Sequence, residues 1–485
     1  MPWRFVGRAE QLDRIRVALK EGASGPILIT GESGIGRTAV LSRALEYVDT
    51  ARDSIITVRP AGAAPLAALR PHLSQLPIEV AGDTKFDSAV PAAVQALAER
   101  AAGRRLVVAL DDAHLADHAS LLALRMLCRR GAAVLLATRP TVIGGDRRLD
   151  PTDTLRHERG MQVLRLPPLS IDEVATVLTG VVKGPVHPAT TEALHAVTGG
   201  RPRLLYDLVV DDGLAKSMAV RGGVWRLGDA PDLAPADASG RGVARVVDAA
   251  GRAWQELAVD RVDELCRLAA WYGALDRVAA EWANVLLLRG RAAEGLRFLD
   301  SLPPERVAQT PELVLVKALT LAFGLGRTKA VGDFLLGVTR RGAALKDRLL
   351  AYRAWILAAT GNVGKAVEVM EKVARSDRET AVFVHATRAG IMSALGRANE
   401  AVFHFRRALA TAESCPGIPP WMPPYLTACL IDAMMLAGRL KEATAIAGGF
   451  HAGEPGSGWE VTVTLSALAA GNRPKTAVRE RLRSA

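Results

Sequence analysis

Residues 31–38 read Gly31-Glu32-Ser33-Gly34-Ile35-Gly36-Arg37-Thr38, and no other stretch so restricts what this chain can fold into. The apolar run Pro26-Ile27-Leu28-Ile29-Thr30 precedes it. The stretch Ala39-Val40-Leu41-Ser42-Arg43-Ala44-Leu45, helical in character, follows. The order is strand, glycine loop, helix. The spacing fits the phosphate-cradling pattern G-x-x-x-x-G-K-[ST], with Arg37 where the pattern has lysine. The loop therefore predicts a bound nucleoside triphosphate. Its contacts would come from Gly31, Ser33, Gly34, Ile35, Gly36, Arg37 and Thr38.

Two later segments belong with this loop. Arg105-Leu106-Val107-Val108-Ala109-Leu110 is apolar after its first residue and runs into Asp111-Asp112. Such a run suits a strand buried in a parallel sheet. Acids at its carboxyl end would lie beside the glycine loop, where open α/β sheets place ligands. Asp111 would then reach a magnesium ion held also by Thr38, and Asp112 would orient an attacking water. Taken alone, the same residues are an acidic turn after a strand. Ala133-Val134-Leu135-Leu136-Ala137-Thr138-Arg139 reads as the next buried strand. Arg139 either senses the terminal phosphate or serves as a helix cap or ion-pair partner.

Composition narrows the remaining choices. The chain has 485 residues, 49% hydrophobic and 23% charged, which describes a folded globular protein of roughly three domains. Aromatics make up only 5%, and alanine, leucine and arginine dominate, which favours helix. The net charge of +11 has two readings, a nucleic-acid partner or a general arginine bias. The basic residues are spread out, without long runs or interleaved aromatics, and this favours the second. Four cysteines lie far apart with no C-x-x-C pair, which argues against zinc and for free thiols in a reducing cytoplasm. No apolar run approaches the roughly 18 residues a membrane span needs. A cytoplasmic location without a membrane is the expectation.

Several boxes carry a resemblance. Phe5-Val6-Gly7-Arg8-Ala9-Glu10 resembles the FVGRE box of AAA-type ATPases in the STAND class. Asp111-Asp112-Ala113-His114-Leu115-Ala116-Asp117, with Ser120-Leu121 after it, resembles the DDxHWADxxSL box of the large ATP-binding LuxR-family (MalT-like) regulators. Thr198-Gly199-Gly200-Arg201-Pro202 is similar to their TGGNPL segment, and Gly223-Val224-Trp225-Arg226-Leu227 to their GxWRL stretch. The resemblance implies Val6, Gly7 and Arg8 near adenine and ribose. It implies ATP or ADP with Mg2+ at the loop, and Pro202 pressing on the base from a helical lid over roughly 168–212. It also implies a winged-helix-like joint over 213–262. The departures are Arg37 for lysine, Asp112 for glutamate, Leu115 for tryptophan and Arg201 for asparagine. An arginine keeps the charge but is longer and planar. Hydrolysis, for which Asp112 and Arg37 are the catalytic candidates, is therefore expected to be slow or impaired.

The carboxyl-terminal half repeats. Gly290-Arg291, Gly326-Arg327, Gly361-Asn362, Gly396-Arg397, Gly438-Arg439 and Gly471-Asn472 recur at intervals of 36, 35, 35, 42 and 33. A period near 34 is that of tetratricopeptide (TPR) repeats. The long interval holds the proline-rich run at 415–424. Each glycine can take positive φ to end a helix. Ala366, Ala401 and Ala443, five residues after their glycines, would let the second helix of each pair approach the first. Stacked pairs predict a solenoid over 263–485. His385 and His404 read as packing or surface residues, and Trp254, Trp282 and Trp355 as core anchors.

The expected architecture is an α/β P-loop NTPase of the AAA/STAND type over 1–167 with its helical lid, followed by an all-α TPR-like solenoid. The expected function is a nucleotide-dependent switch, at most a slow ATPase. Its repeats would bind a protein or small-molecule inducer, with homo-oligomer formation and a role in transcriptional regulation implied by the resemblance. LuxR-type regulators end in a DNA-binding helix-turn-helix, whereas this sequence ends at Ala485 just after the last repeat, so direct DNA binding by this chain is not expected. Two other classes stay open: a non-catalytic interaction scaffold with a degenerate loop, and a remodelling ATPase.

Overall fold

The computed structural model describes residues 3–21, 25–62, 64–73, 86–139, 155, 158, 160–228, 240–341, 345–374 and 377–447. The sixth repeat glycine, Gly471, lies outside them. The chain divides into two compact units. One comprises residues 1–216 with 220–225, the other 217–219 with 226–485. Among the described residues no helix is long and apolar enough to cross a membrane.

The first unit is built on a five-stranded parallel sheet. Its strands are β1 (Ile27–Thr30), β2 (Asp53–Val58), β3 (Arg105–Leu110), β4 (Ala133–Thr138) and β5 (Gln162–Arg165), in the order β2-β3-β4-β1-β5. Alternate residues of a strand face opposite sides, and both sides are covered. Val108, Leu110, Val134 and Leu136 pack on α3 (Phe86–Arg100) and α4 (His118–Arg129) through Val94, Leu97, Leu121 and Leu124. Val107, Ala109, Leu135 and Ala137 pack on α1 (Ala9–Glu21) and α2 (Arg37–Leu45) through Ile15, Leu19, Val40 and Ala44. Burial on both faces explains why these strands read as apolar throughout. This is the α/β P-loop NTPase fold.

Three helices follow the sheet in the same unit: α5 (Ile171–Val182), α6 (Pro188–Thr198) and α7 (Pro202–Tyr206), the last continuing as a π-turn over Asp207–Asp211. A capping box starts α5: Glu173 N–H donates to Ser170 Oγ at 3.2 Å and Ser170 N–H to Glu173 Oε2 at 2.8 Å. Between α6 and α7 the chain turns through Gly199 and Gly200, at φ of 59° and 64°. A Cβ on Gly200 would overlap the Leu169 carbonyl oxygen, so this turn admits only glycine. The short hairpin β6 (Met218–Arg221) and β7 (Val224–Leu227) follows.

The second unit takes in parts of β6 and β7, and from Gly240 on it is all-helical where described. The helical part opens with α8 (Gly240–Gln255) and α9 (Val259–Trp271), and then repeats a hairpin. The pairs are α10 (Ala279–Leu288) with α11 (Ala292–Ser301), α13 (Pro311–Leu319) with α14 (Thr328–Arg341), α15 (Lys346–Ala359) with α16 (Val363–Met370), α17 (Arg378–Ala394) with α18 (Ala398–Glu413), and α19 (Met422–Leu436) with α20 (Leu440–Ala447). The short α12 (Pro304–Gln309) lies between the first two pairs. Each pair turns at a repeat glycine with φ between 67° and 82°. In four of the pairs the residue after the glycine donates to a carbonyl in the last turn of the first helix, as Asn362 does to Leu357 O at 2.8 Å and Arg439 to Met434 O at 2.8 Å; in the pair turned at Gly326, Arg327 donates to Leu321 O at 2.7 Å, just past α13. Ala366, Ala401 and Ala443 are buried.

Candidate nucleotide-binding site

β1 ends at Thr30 on the carboxyl edge of the sheet, and the chain turns at once into the glycine loop. Gly34 and Gly36 hold φ of 78° and 96°. Ile35 drops into the apolar layer beneath and anchors the loop, while Ser33 is exposed. A Cβ on Gly31 would come within 2.7 Å of Ile35 Cγ2. Helix α2 then begins at Arg37, with Gly36 as its N-cap.

Side chains from the start of α2 and from the residues just after β3 meet at this edge. Thr38 Oγ1 donates to Asp111 Oδ2 at 2.8 Å, across 73 residues of sequence. Asp111 follows β3 directly, its amide bonded to Val58 O at 3.2 Å. Asp112 sits in the left-handed region at φ 46°, and its amide donates to Asp111 Oδ1 at 3.0 Å. Arg37 Nη2 pairs with Asp112 Oδ1 at 3.3 Å. Arg37 is only 8% exposed, and its second terminal nitrogen, Nη1, is buried without a hydrogen-bond partner. Burial lowers the proton affinity of this guanidinium. Asp112 opposes that effect, Arg139 adds to it, and Asp111 opposes it more weakly. A guanidinium stays protonated under such shifts, so Arg37 is a fixed cation with half its fork unused. Arginine binds phosphate oxygens with two parallel donors. The orphaned Nη1 therefore fits a site built to take an anion, and Thr38 with Asp111 supplies the hard oxygen set that suits magnesium.

The amino-terminal box lies against this loop. Gly7 has φ 74°, and a Cβ there would overlap Glu173 Oε1 on α5. Arg8, buried and at φ 66°, donates from Nη2 to Ile35 O at 3.5 Å. Burial lowers its proton affinity, and Glu173 counters. Val6 is half-buried beside them. Trp3 packs edge-on against Tyr206, with ring centroids 5.1 Å apart.

The lid reaches the loop at two points. Arg203 N–H donates to Gly34 O at 3.1 Å, and Arg201 pairs with Glu32. A Cβ on Gly34 would stand 3.0 Å from Arg203 Cβ. Pro202, half-buried, opens α7 between these two arginines. Glu173 and Arg203 are not foreseen from sequence, Glu32 enters only as a loop position without a role, and Arg201 only as a departure from a family pattern. The Ser170-x-x-Glu173 capping pattern was a usable signal for Glu173. Glu32 carried none, since its partner is 169 residues away.

One box residue proves structural. Asp117 is buried and caps α4, accepting from Ser120 N at 2.8 Å and Ser120 Oγ at 2.7 Å. It also accepts from Leu66 N at 2.8 Å and Ala68 N at 3.2 Å. Asp117 thus pins the chain after β2 to the start of α4. Leu115 is exposed, at the position of the family tryptophan.

Residues 4–137 match the family model described as AAA ATPase domain. No curated protein matches the chain. Among solved structures, the Hsp104–ADP complex of S. cerevisiae aligns at 15% identity with a TM-score of 0.32, covering 91% of this chain and 59% of that one. The ORC2 protein of Aeropyrum pernix, in ADPNP and ADP complexes, aligns at 16% identity with a TM-score of 0.32, covering 70% of this chain and 87% of that one. The chain thus spans less than two thirds of the Hsp104 chain. With the loop, the acid pair and the strand order in place, the sheet-containing unit has the P-loop NTPase fold, and its residues 4–137 are similar to the AAA ATPase domain family.

Proposed function

We propose that the chain is a nucleotide-dependent switch of the STAND type. ATP or ADP is held at residues 31–38, and a ligand or protein partner on the TPR-like helical half. The observation that carries this reading is the pairing at the sheet edge: Thr38 on Asp111, and Arg37 divided between Asp112 and an unused buried donor. Thr38 and Asp111 are the residues to hold Mg2+. The loop amides and Arg37 are the residues to hold phosphate. Bound Mg2+-nucleotide supplies the phosphoryl group whose hydrolysis the site would catalyse.

In this reading Arg37 also makes turnover slow. Orientation of an attacking water requires Asp112 to be available as an acceptor. Held by Arg37, Asp112 is turned from that task. A nucleotide retained without rapid hydrolysis is what a switch needs, since bound ligand shifts an equilibrium only through its differential affinity for the two states. The order of the boxes, shared with the LuxR-type regulators, and the five glycine-turned hairpins support the same reading. Regulatory output, transcription included, would pass through a partner.

The test has two stages. Purified protein should retain ADP or ATP and bind a fluorescent ADP analogue in the presence of magnesium. Arg37→Lys should then raise single-turnover hydrolysis by about tenfold or more, the scale of one positioned electrostatic group, and Asp112→Asn should abolish the gain. The second reading, a nucleotide-free scaffold, has one observation in its favour: Asp112 already neutralises Arg37. It wins if no nucleotide is retained or bound. Unchanged turnover in Arg37→Lys would sink the idea that Arg37 slows hydrolysis while leaving binding intact.

A further inference from the structure

The helical unit contains a half-open cavity of about 210 Å³ between α15, α17 and α19, with Phe405 of α18 in its lining. Small side chains make the space. Ala359 lies on α15, Ala386 and Gly390 on α17, and Ala433 on α19. A Cβ on Gly390 would meet only Ala358 Cβ, at 3.7 Å, so the backbone there does not require glycine. The opening left at that position is a feature of shape.

The walls are aromatic. Trp355 and Tyr425 stand edge to face, with centroids 5.7 Å apart, and Trp421 stacks on Trp355 at 6.1 Å. The Tyr425 hydroxyl is already engaged by Trp355 and by Cys429. Burial, with the Asp432 charge adding to it, pushes the Cys429 thiol up to about 12, and that sulfur is no nucleophile at neutral pH. The cavity is therefore suited to non-covalent binding. Among the residues that line it, the one charged group is Asp432. That is notable in a chain of net charge +11, on a helix, α19, that has no basic residue. Asp432 has an interaction of its own. Its side chain is exposed, and a carboxylate, with roughly four lone-pair positions, can be shared between that partner and a ligand's ammonium group.

A dry cavity of about 150 Å³ takes a benzene ring, so 210 Å³ holds one ring with a short arm. Electron-rich ring faces and a carboxylate both favour a cation, and neither favours an anion. We propose that this cavity binds a small aromatic amine, its ring against Trp355, Tyr425 and Phe405 and its ammonium group against Asp432. The inference rests on reading the helical half as the ligand-sensing part of the switch, and names the ligand class for it.

The probe is tyramine, with 4-hydroxyphenylacetate as its anionic counterpart of similar size. Both are titrated calorimetrically into the full chain, and ADP affinity is measured on the same samples. Tyramine should bind saturably at one site, and the acid at least tenfold more weakly. Asp432→Asn should remove that preference. Gly390→Leu should fill the cavity and weaken tyramine at least tenfold with ADP binding intact. Ala359→Leu, from the opposite wall, should do the same and stands in where Gly390→Leu does not fold. Absence of saturable tyramine binding, equal affinity for the acid, or retained affinity in both filled variants overturns the proposal. Tyramine binding that leaves ADP affinity unchanged supports the cavity and counts against the switch. Intact ADP binding without tyramine binding does the reverse.

Discussion

Glycine does different work in the two units. In the sheet-containing unit, Gly7, Gly34 and Gly200 combine positive φ with a neighbour in the space a Cβ would take: Glu173, Arg203 and the Leu169 carbonyl. In the helical unit, Gly290, Gly326, Gly361, Gly396 and Gly438 have the same φ sign but nothing within 4 Å of that space. The first group mediates contacts between distant segments. The second ends helices, a local act repeated. A nucleotide site needs residues far apart in sequence to converge, whereas a stack of hairpins needs only each hairpin to turn.

The largest test of this contrast is Asp117→Ala. It strands the Leu66 and Ala68 amides, both on buried residues, and removes the α4 cap. Orphaned buried donors cost about 1–3 kcal/mol each and a lost cap about 1. A loss of about 4 kcal/mol in the sheet-containing unit is expected by urea unfolding. A loss below about 1 kcal/mol would mean the long-range contacts there are expendable.

Next come two glycines compared directly. Gly200→Ala drives a methyl into a backbone carbonyl and should cost about 3 kcal/mol or more. Gly361→Ala meets only the left-handed backbone penalty and should cost about 1 kcal/mol. Equal losses from the two would break the comparison.

The smallest effect concerns His385 and His404, whose Nδ1 atoms lie 3.2 Å apart between α17 and α18. Burial is the main cause lowering both rings below the ordinary 6.5. His404, Arg388 and Arg407 add to the effect on His385. Arg388 adds to it on His404, where Glu400 opposes. In the unfolded chain both rings take protons near 6.5, while the folded helices resist. Their contribution is therefore complete above about 6.5 and is lost as pH falls through the depressed folded values. The urea midpoint of the helical unit should drop between pH 7.5 and 5, and His385→Gln should flatten that slope. A midpoint independent of pH would show the rings titrate alike in both states.

Local signals made the loop at 31–38, the strand ending in Asp111-Asp112 and the glycine period readable from the chain. Each depends on neighbours in sequence: a buried strand must be apolar on both faces, and a helix must stop where φ turns positive. The hairpin near Gly223 and the helix pairs up to Ala447 follow from the same signals. Other features have no local signature. Nothing around Glu32 announces Arg201. The DDxHWADxxSL resemblance included Asp117 without revealing that it holds Leu66 and Ala68. The tryptophan read as a core anchor, Trp355, also walls a cavity, because space left by Ala359, Gly390 and Ala433 exists only once three helices are packed.

Sequence by itself thus determined the elements and the identity of the phosphate loop, because short-range sterics and periodic burial are written residue by residue. Tertiary structure alone decided that Arg37 would face Asp112 with one donor left over, that the lid would meet Glu32, and that small side chains would leave room beside Trp355. Those outcomes depend on distances between segments that the chain brings together only on folding.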